Sequence, residues 1–213
     1  MSLIAIVGGT GLNLRTLLYG IAPVPDNVPA IGSEVRALAV ADAHAQLAAA
    51  DPEAAARLGP GDTSRVARSL EVVRSTGKPL AHWHQQRVGG IADEIRLVPL
   101  ILLPDRDWLG DRIDRRFAEM LEAGRAEAEA LLARTDIPAD APVLRAIGVP
   151  ELRALFAGES DVVQAAAAGA LATRQYAKRQ YTWFRRQPPQ DWERTDETET
   201  NVRLAKIETK FHI

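Results

Sequence analysis

The opening segment of the chain limits its fold more than any other. Leu3–Val7 (LIAIV) is a continuous apolar, largely β-branched run, and the tight turn Gly8-Gly9-Thr10-Gly11 follows at once. Leu12 to Tyr19 then carries a helical pattern that Gly20 ends. An unbroken apolar run of that length predicts a strand buried on both faces, as parallel sheets require. Strand, glycine turn and helix in that order predict an α/β chain.

Pro23, Pro25 and Pro29 break the pattern and mark a boundary. From Glu34 to about Gln86 the sequence predicts short helices. One is Ala/Leu-rich up to Ala50, one is opened by Asp51-Pro52, and one is capped by Asp62 or Thr63 and closed at Gly77. Glu94–Leu103 (EIRLVPLILL) returns to strand character, with Pro99 pointing to an edge or a bulge. Pro104-Asp105 opens a long helix to about Arg134, with Leu109, Ile113, Phe117, Met120 and Leu121 on one stripe. A short helix covers Glu151–Phe156. Ser160-Asp161 caps a long Ala-rich helix that Pro188-Pro189 ends, and the tail beyond Asp191 alternates too weakly to assign. The expected organisation is a core strand–turn–helix over residues 1–24, a helical insertion over 25–92, and the rest of the core over 93–213.

The long helix ends in ATRQYAKRQYTWFRR, Ala172–Arg186, which holds five basic residues and no acid in a chain of net charge −2. At ~100° per residue, Arg174, Lys178, Tyr181 and Arg185 share one face. Basic groups around an aromatic ring suit a phosphate backbone and a stacked base, and so point to RNA. A solvated helix face gives the same pattern, and Trp183 and Phe184 read more readily as core. The near-neutral charge excludes a wholly basic binder. The absence of cysteine excludes disulfides and thiolate metal sites and fits a reducing cytoplasm. The longest apolar run is far too short to span a bilayer, so no membrane partner is expected.

Other constellations are weaker. A strand, a glycine turn and a helix start form an anion site from free backbone N–H groups, with Thr10 adding a hydroxyl. No Gly-Lys-Ser/Thr follows, and Leu14 replaces the third glycine of a dinucleotide fingerprint. Arg112 and Arg116, at i and i+4, can clamp a pyrophosphate by forked hydrogen bonds or can pair with Asp111 and Asp114. Arg57-Leu58-Gly59-Pro60-Gly61 is a turn whose N–H groups could meet phosphate. His82-Trp83-His84 has no third ligand nearby, so no metal cluster is assigned.

The order of these pieces carries more than any one of them. GGTGL with LRTLLYG, DPEAAARLGPGDTSRVARSLEV, TGKPL, DRIDRRFAEMLEAG, RAIG and ATRQYAKRQYTW together resemble the tRNA dimethylallyltransferases, or isopentenyl-tRNA transferases, from about Ile4 to Arg186. The resemblance implies a P-loop-type parallel-sheet core, truncated here and interrupted by the helical insertion. It also implies transfer of a dimethylallyl group from dimethylallyl diphosphate to the exocyclic amine of the adenosine 3′ of the tRNA anticodon. That base would be flipped out of its stack.

By the same resemblance Thr10 lies by the diphosphate with Gly8 and Gly9, and Arg116, beside Arg112, binds the departing pyrophosphate; Thr10 and Arg116 are the catalytic candidates. The tRNA contacts it implies are Arg57, Leu58, Gly59, Pro60 and Gly61 in the insertion, Arg145, and Thr173, Arg174, Gln175 and Lys178, which Arg185 joins from the basic face. The family's insertion is the tRNA-binding domain, its members are monomers, and Mg2+ is its metal, although no ligand for it can be picked out here.

The family's P-loop and the Asp that serves as its general base have no counterpart in this sequence. Transfer by these residues alone is therefore expected to be slower by several orders of magnitude. Exposed strand edges would favour self-association. Two other readings stay open: a non-catalytic RNA-binding remnant, and a nucleotide-binding protein using Gly8–Gly11.

Overall fold

The computed structural model describes residues 4–211 and is mostly helical, with a small parallel sheet. It divides into two compact units. One spans Leu12–Leu97, and the other joins the residues up to Gly11 to those from Val98 onward.

Within Leu12–Leu97 lie most of α1 (Gly11–Tyr19), then α2 (Pro29–Ala37), α3 (Val40–Ala50), α4 (Pro52–Arg57), α5 (Thr63–Thr76) and α6 (Leu80–His84). The Ala/Leu-rich stretch expected as one helix is two. The backbone turns extended at Leu38 and Ala39, so each half presents its own apolar face. Val35, Ala43, Leu47, Ala54, Ala55, Val66 and Leu70 form the core. The predicted cap is present at α4, where the Asp51 carboxylate accepts from the Ala54 N–H at 3.0 Å. At α5 the stop is Gly77 in the left-handed region (φ 68°), but Asp62 makes no side-chain cap bond. Asp51→Ala should lower stability by about 1 kcal/mol through loss of that cap, as urea unfolding would measure.

The second unit holds β1 (Leu100–Leu102), α7 (Arg106–Ala123), α8 (Arg125–Leu132), α9 (Val149–Phe156), α10 (Val162–Arg186), β2 (Glu193–Thr195) and α11 (Thr200–Phe211). Asp105 caps α7 by accepting from Asp107 and Trp108 N–H at 2.9 and 3.0 Å, bonds that hold its carboxyl below the usual range. Asp161 opens α10 through a reciprocal box with Gln164, at 2.8 and 3.0 Å. Ile113, Phe117 and Leu121 of α7 pack with Ala165 and Ala170 of α10 and Leu152 of α9. Met120, expected on that stripe, is exposed, because the buried set keeps strict i, i+4 spacing. The predicted helix to Arg134 is interrupted at Gly124, where the backbone leaves helical geometry between α7 and α8.

The sheet departs most from expectation. Ile4–Val7 form no strand and are exposed, Val7 at 97 %, while Leu3 lies outside the described residues. A strand exists only where a neighbour takes its N–H and C=O groups. Among the described residues the one ladder is elsewhere, with Leu100 opposite Glu193 and Leu102 opposite Thr195 in parallel. Only Leu100–Leu102 of the long predicted strand Glu94–Leu103 enters it, starting just after Pro99. The tail supplies the partner strand. Lys210 of α11 pairs with Glu193 at 2.6 Å and Lys206 reaches the Thr195 hydroxyl at 3.0 Å, which seats α11 beside β2.

Candidate diphosphate and RNA interface

In the second unit, α10 touches both elements expected to handle a diphosphate. Its Gln180 amide donates to the Gly9 carbonyl at 2.8 Å, and its Trp183 ring lies against Gly11, so the glycine turn rests on the helix. Gly8 and Thr10 on that turn are exposed. On the other side, Arg174 pairs with Asp114 of α7. Arg112 and Arg116 stand exposed on another side of α7, Arg112 with its guanidinium 5.5 Å from the Trp108 ring. Asp114, one of the acids that could have neutralised these arginines, is thus engaged by α10.

The wheel drawn from the sequence holds because α10 is one unbroken helix. Lys178, Arg185 and Gln175 are exposed, and Arg174 is half-buried. Thr173 is turned inward, its hydroxyl donating to the Gly169 carbonyl at 2.7 Å. Tyr181 has one ring face occupied within the chain. The Arg106 guanidinium sits 5.1 Å above it, which adds a cation to the basic face. Trp183 meets Phe184 edge-on at 4.9 Å, as packed aromatics do. Arg145 is exposed at the end of a 3-10 turn, Pro142–Arg145.

In the first unit, Arg57 ends α4 and Leu58–Gly61 link it to α5. His44, isolated in sequence, bonds through Nε2 to the Leu58 carbonyl at 2.9 Å and so anchors the root of that turn. Gly59 and Gly61 have open space where a side chain would be, so a ligand can approach their backbone closely. Nearby His84 is held below the ordinary imidazole range, first by burial and then by the positive charges of Arg87, Arg15 and Arg57. A polyanion bound to those arginines should raise the His84 pKa. Binding then takes up a proton, and RNA affinity should strengthen as the pH falls below about 6.5, which imidazole NMR titration with and without RNA would measure.

Sequence reasoning missed Gln180, Arg106 and the pairing of Asp114 with Arg174. Each acts on a partner far away in the chain, and no local spacing signals such a contact. The described residues contain no group of three His, Asp or Glu side chains able to hold a metal ion. They therefore offer no cage for the expected magnesium. No described helix is long and apolar enough to cross a membrane.

Known proteins are similar to this chain. The chain is 64 % identical over 190 residues to a tRNA dimethylallyltransferase of Sphingopyxis alaskensis, covering 89 % of this chain and 62 % of that one. It is 54 % identical over 203 residues to the tRNA dimethylallyltransferase of Novosphingobium aromaticivorans, covering 95 % and 72 %. The solved structure of the full-length tRNA isopentenylpyrophosphate transferase of Bacillus halodurans matches with a TM-score of 0.54 at 28 % identity, covering 95 % of this chain and 63 % of that one. The chain thus spans roughly two thirds of the length of these relatives, and its α/β fold is theirs. The family model for IPP transferase matches residues 2–187, and the chain belongs to that family.

Proposed function

We propose that this chain takes part in transferring a dimethylallyl group from dimethylallyl diphosphate to the exocyclic amine of the adenosine 3′ of a tRNA anticodon. The observation that carries this reading is that α10 contacts both the turn bearing Thr10 and the helix bearing Arg112 and Arg116. In such a transfer the amine nitrogen bonds to the allylic carbon, the carbon–oxygen bond to the diphosphate breaks, and the amine loses a proton. Negative charge grows on the departing pyrophosphate. Guanidinium groups of Arg116 and Arg112, with the Thr10 hydroxyl and the N–H groups after Gly8 and Gly9, suit that charge. The proton that the amine loses passes to solvent water.

The RNA would lie on Arg174, Lys178 and Arg185 with Gln175 beside them, Thr173 shaping the helix beneath. Arg145 and the turn Arg57–Gly61 supply further contacts, the latter making the helical insertion a tRNA-binding domain. The family's work on tRNA fits a cytoplasmic setting. Labelled dimethylallyl diphosphate incubated with the chain and an anticodon stem-loop tests the reading. Slow incorporation of label that requires the adenine is expected. Binding of the stem-loop without any incorporation would favour a non-catalytic RNA-binding role instead.

A further inference from the structure

Gly9 and Gly11 have an unusual relation to α10. Neither has its φ in the positive region, so backbone freedom does not explain glycine there. Space does. A Cβ on Gly9 would strike the Gln180 side-chain amide, and a Cβ on Gly11 would fall inside the Trp183 ring. The amide end of Gln180 is flexible and could move aside. The Trp183 ring is held by Phe184, so the second contact is the stiffer one. Gln180 and Trp183 lie three residues apart on one face of α10, opposite the face that carries Lys178 and Arg185. One helix thus grips the turn with two side chains and presents its cations with others.

We propose that Gln180 and Trp183 are positioning residues for the prenyl diphosphate. The Gln180 amide, bonded to the Gly9 carbonyl at 2.8 Å, and the Trp183 ring, pressed on Gly11, fix the backbone between them. Thr10, the one side chain in that span, is exposed. A partly buried amide–carbonyl bond has a strong orientational preference, and two anchors two residues apart leave the intervening turn little freedom. An anion site made of backbone N–H groups is only as good as the turn that aims them. This proposal rests on the donor reading above and adds residues that touch neither donor nor RNA.

Gln180→Met keeps the length of the side chain and removes its N–H donor. In the full chain, amide hydrogen exchange at Thr10 and Gly11 should speed up about tenfold, the worth of one partly buried hydrogen bond. Dimethylallyl diphosphate should bind about tenfold more weakly, with stem-loop affinity within twofold of the wild type. Gly9→Ala, which leaves Gln180 in place but displaces its amide, should act in the same direction and guards against a folding defect peculiar to Met. Unchanged donor affinity in both variants, where the wild type binds donor, would overturn the proposal alone. A wild-type chain that binds the stem-loop but no dimethylallyl diphosphate would overturn the donor reading and this proposal with it.

Discussion

Gly169→Ala is expected to lower the unfolding free energy of the unit containing α7 and α10 by about 1–2 kcal/mol. Gly169 is buried in α10, and a Cβ there would fall inside the ring of Phe117, itself 2 % exposed. Two effects oppose each other. Alanine gains about 1 kcal/mol of helix propensity over glycine. Overpacking a filled core costs about 1–3 kcal/mol and occasionally more. The clash prevails because it meets the ring directly and the ring is wedged among Ile113, Leu121, Ala165 and Ala170. Gly110→Ala on α7 is the internal comparison. Nothing lies within 4 Å of a Cβ there, so propensity acts alone and stability should rise by about 0.5–1 kcal/mol. Denaturant unfolding of both variants measures the pair. Opposite signs establish the ring contact, whereas a stabilised Gly169→Ala would show that α7 and α10 pack less closely.

The second large effect concerns RNA. Replacing Arg174, Lys178 and Arg185 together with alanine should weaken stem-loop binding roughly 100-fold at moderate salt and flatten the plot of log affinity against log salt by about 2–3 units, the counterion release of three phosphate contacts. The three are not equal. Lys178 and Arg185 are exposed, but Arg174 already pairs with Asp114 and must break that pair to reach a phosphate. The Arg174 single variant should therefore lose least. Asp114→Asn should do the opposite and tighten RNA binding, by freeing a cation without adding one. Filter binding at several salt concentrations separates these outcomes. An unchanged slope in the triple variant would remove α10 from the RNA interface.

How much of this was legible in the sequence depended on the range of the interaction concerned. Helix ends at Asp51-Pro52, Asp105 and Asp161 were readable, because a cap is a bond between residues two or three apart. The stripe Ile113–Phe117–Leu121 was readable for the same reason. The sheet was not. Ile4–Val7 have every local property of a strand and form none, while Glu193–Thr195, polar and irregular, form one because Leu100–Leu102 lie alongside. Pairing is a property of two segments, and neither one encodes it. The basic face of α10 could be drawn from its spacing, but its partners could not. Asp114, Arg106 and Gly9 lie 60, 75 and 171 residues from the side chains they meet, Arg174, Tyr181 and Gln180.

The most direct test of the account is a fluorescence titration of the chain with an anticodon stem-loop carrying adenosine 3′ of the anticodon, against a copy lacking that adenine. The account predicts tighter binding of the adenosine-bearing stem-loop. Equal binding of the two would reduce the surface to an electrostatic patch, and no binding of either by a folded chain would contradict the RNA reading altogether.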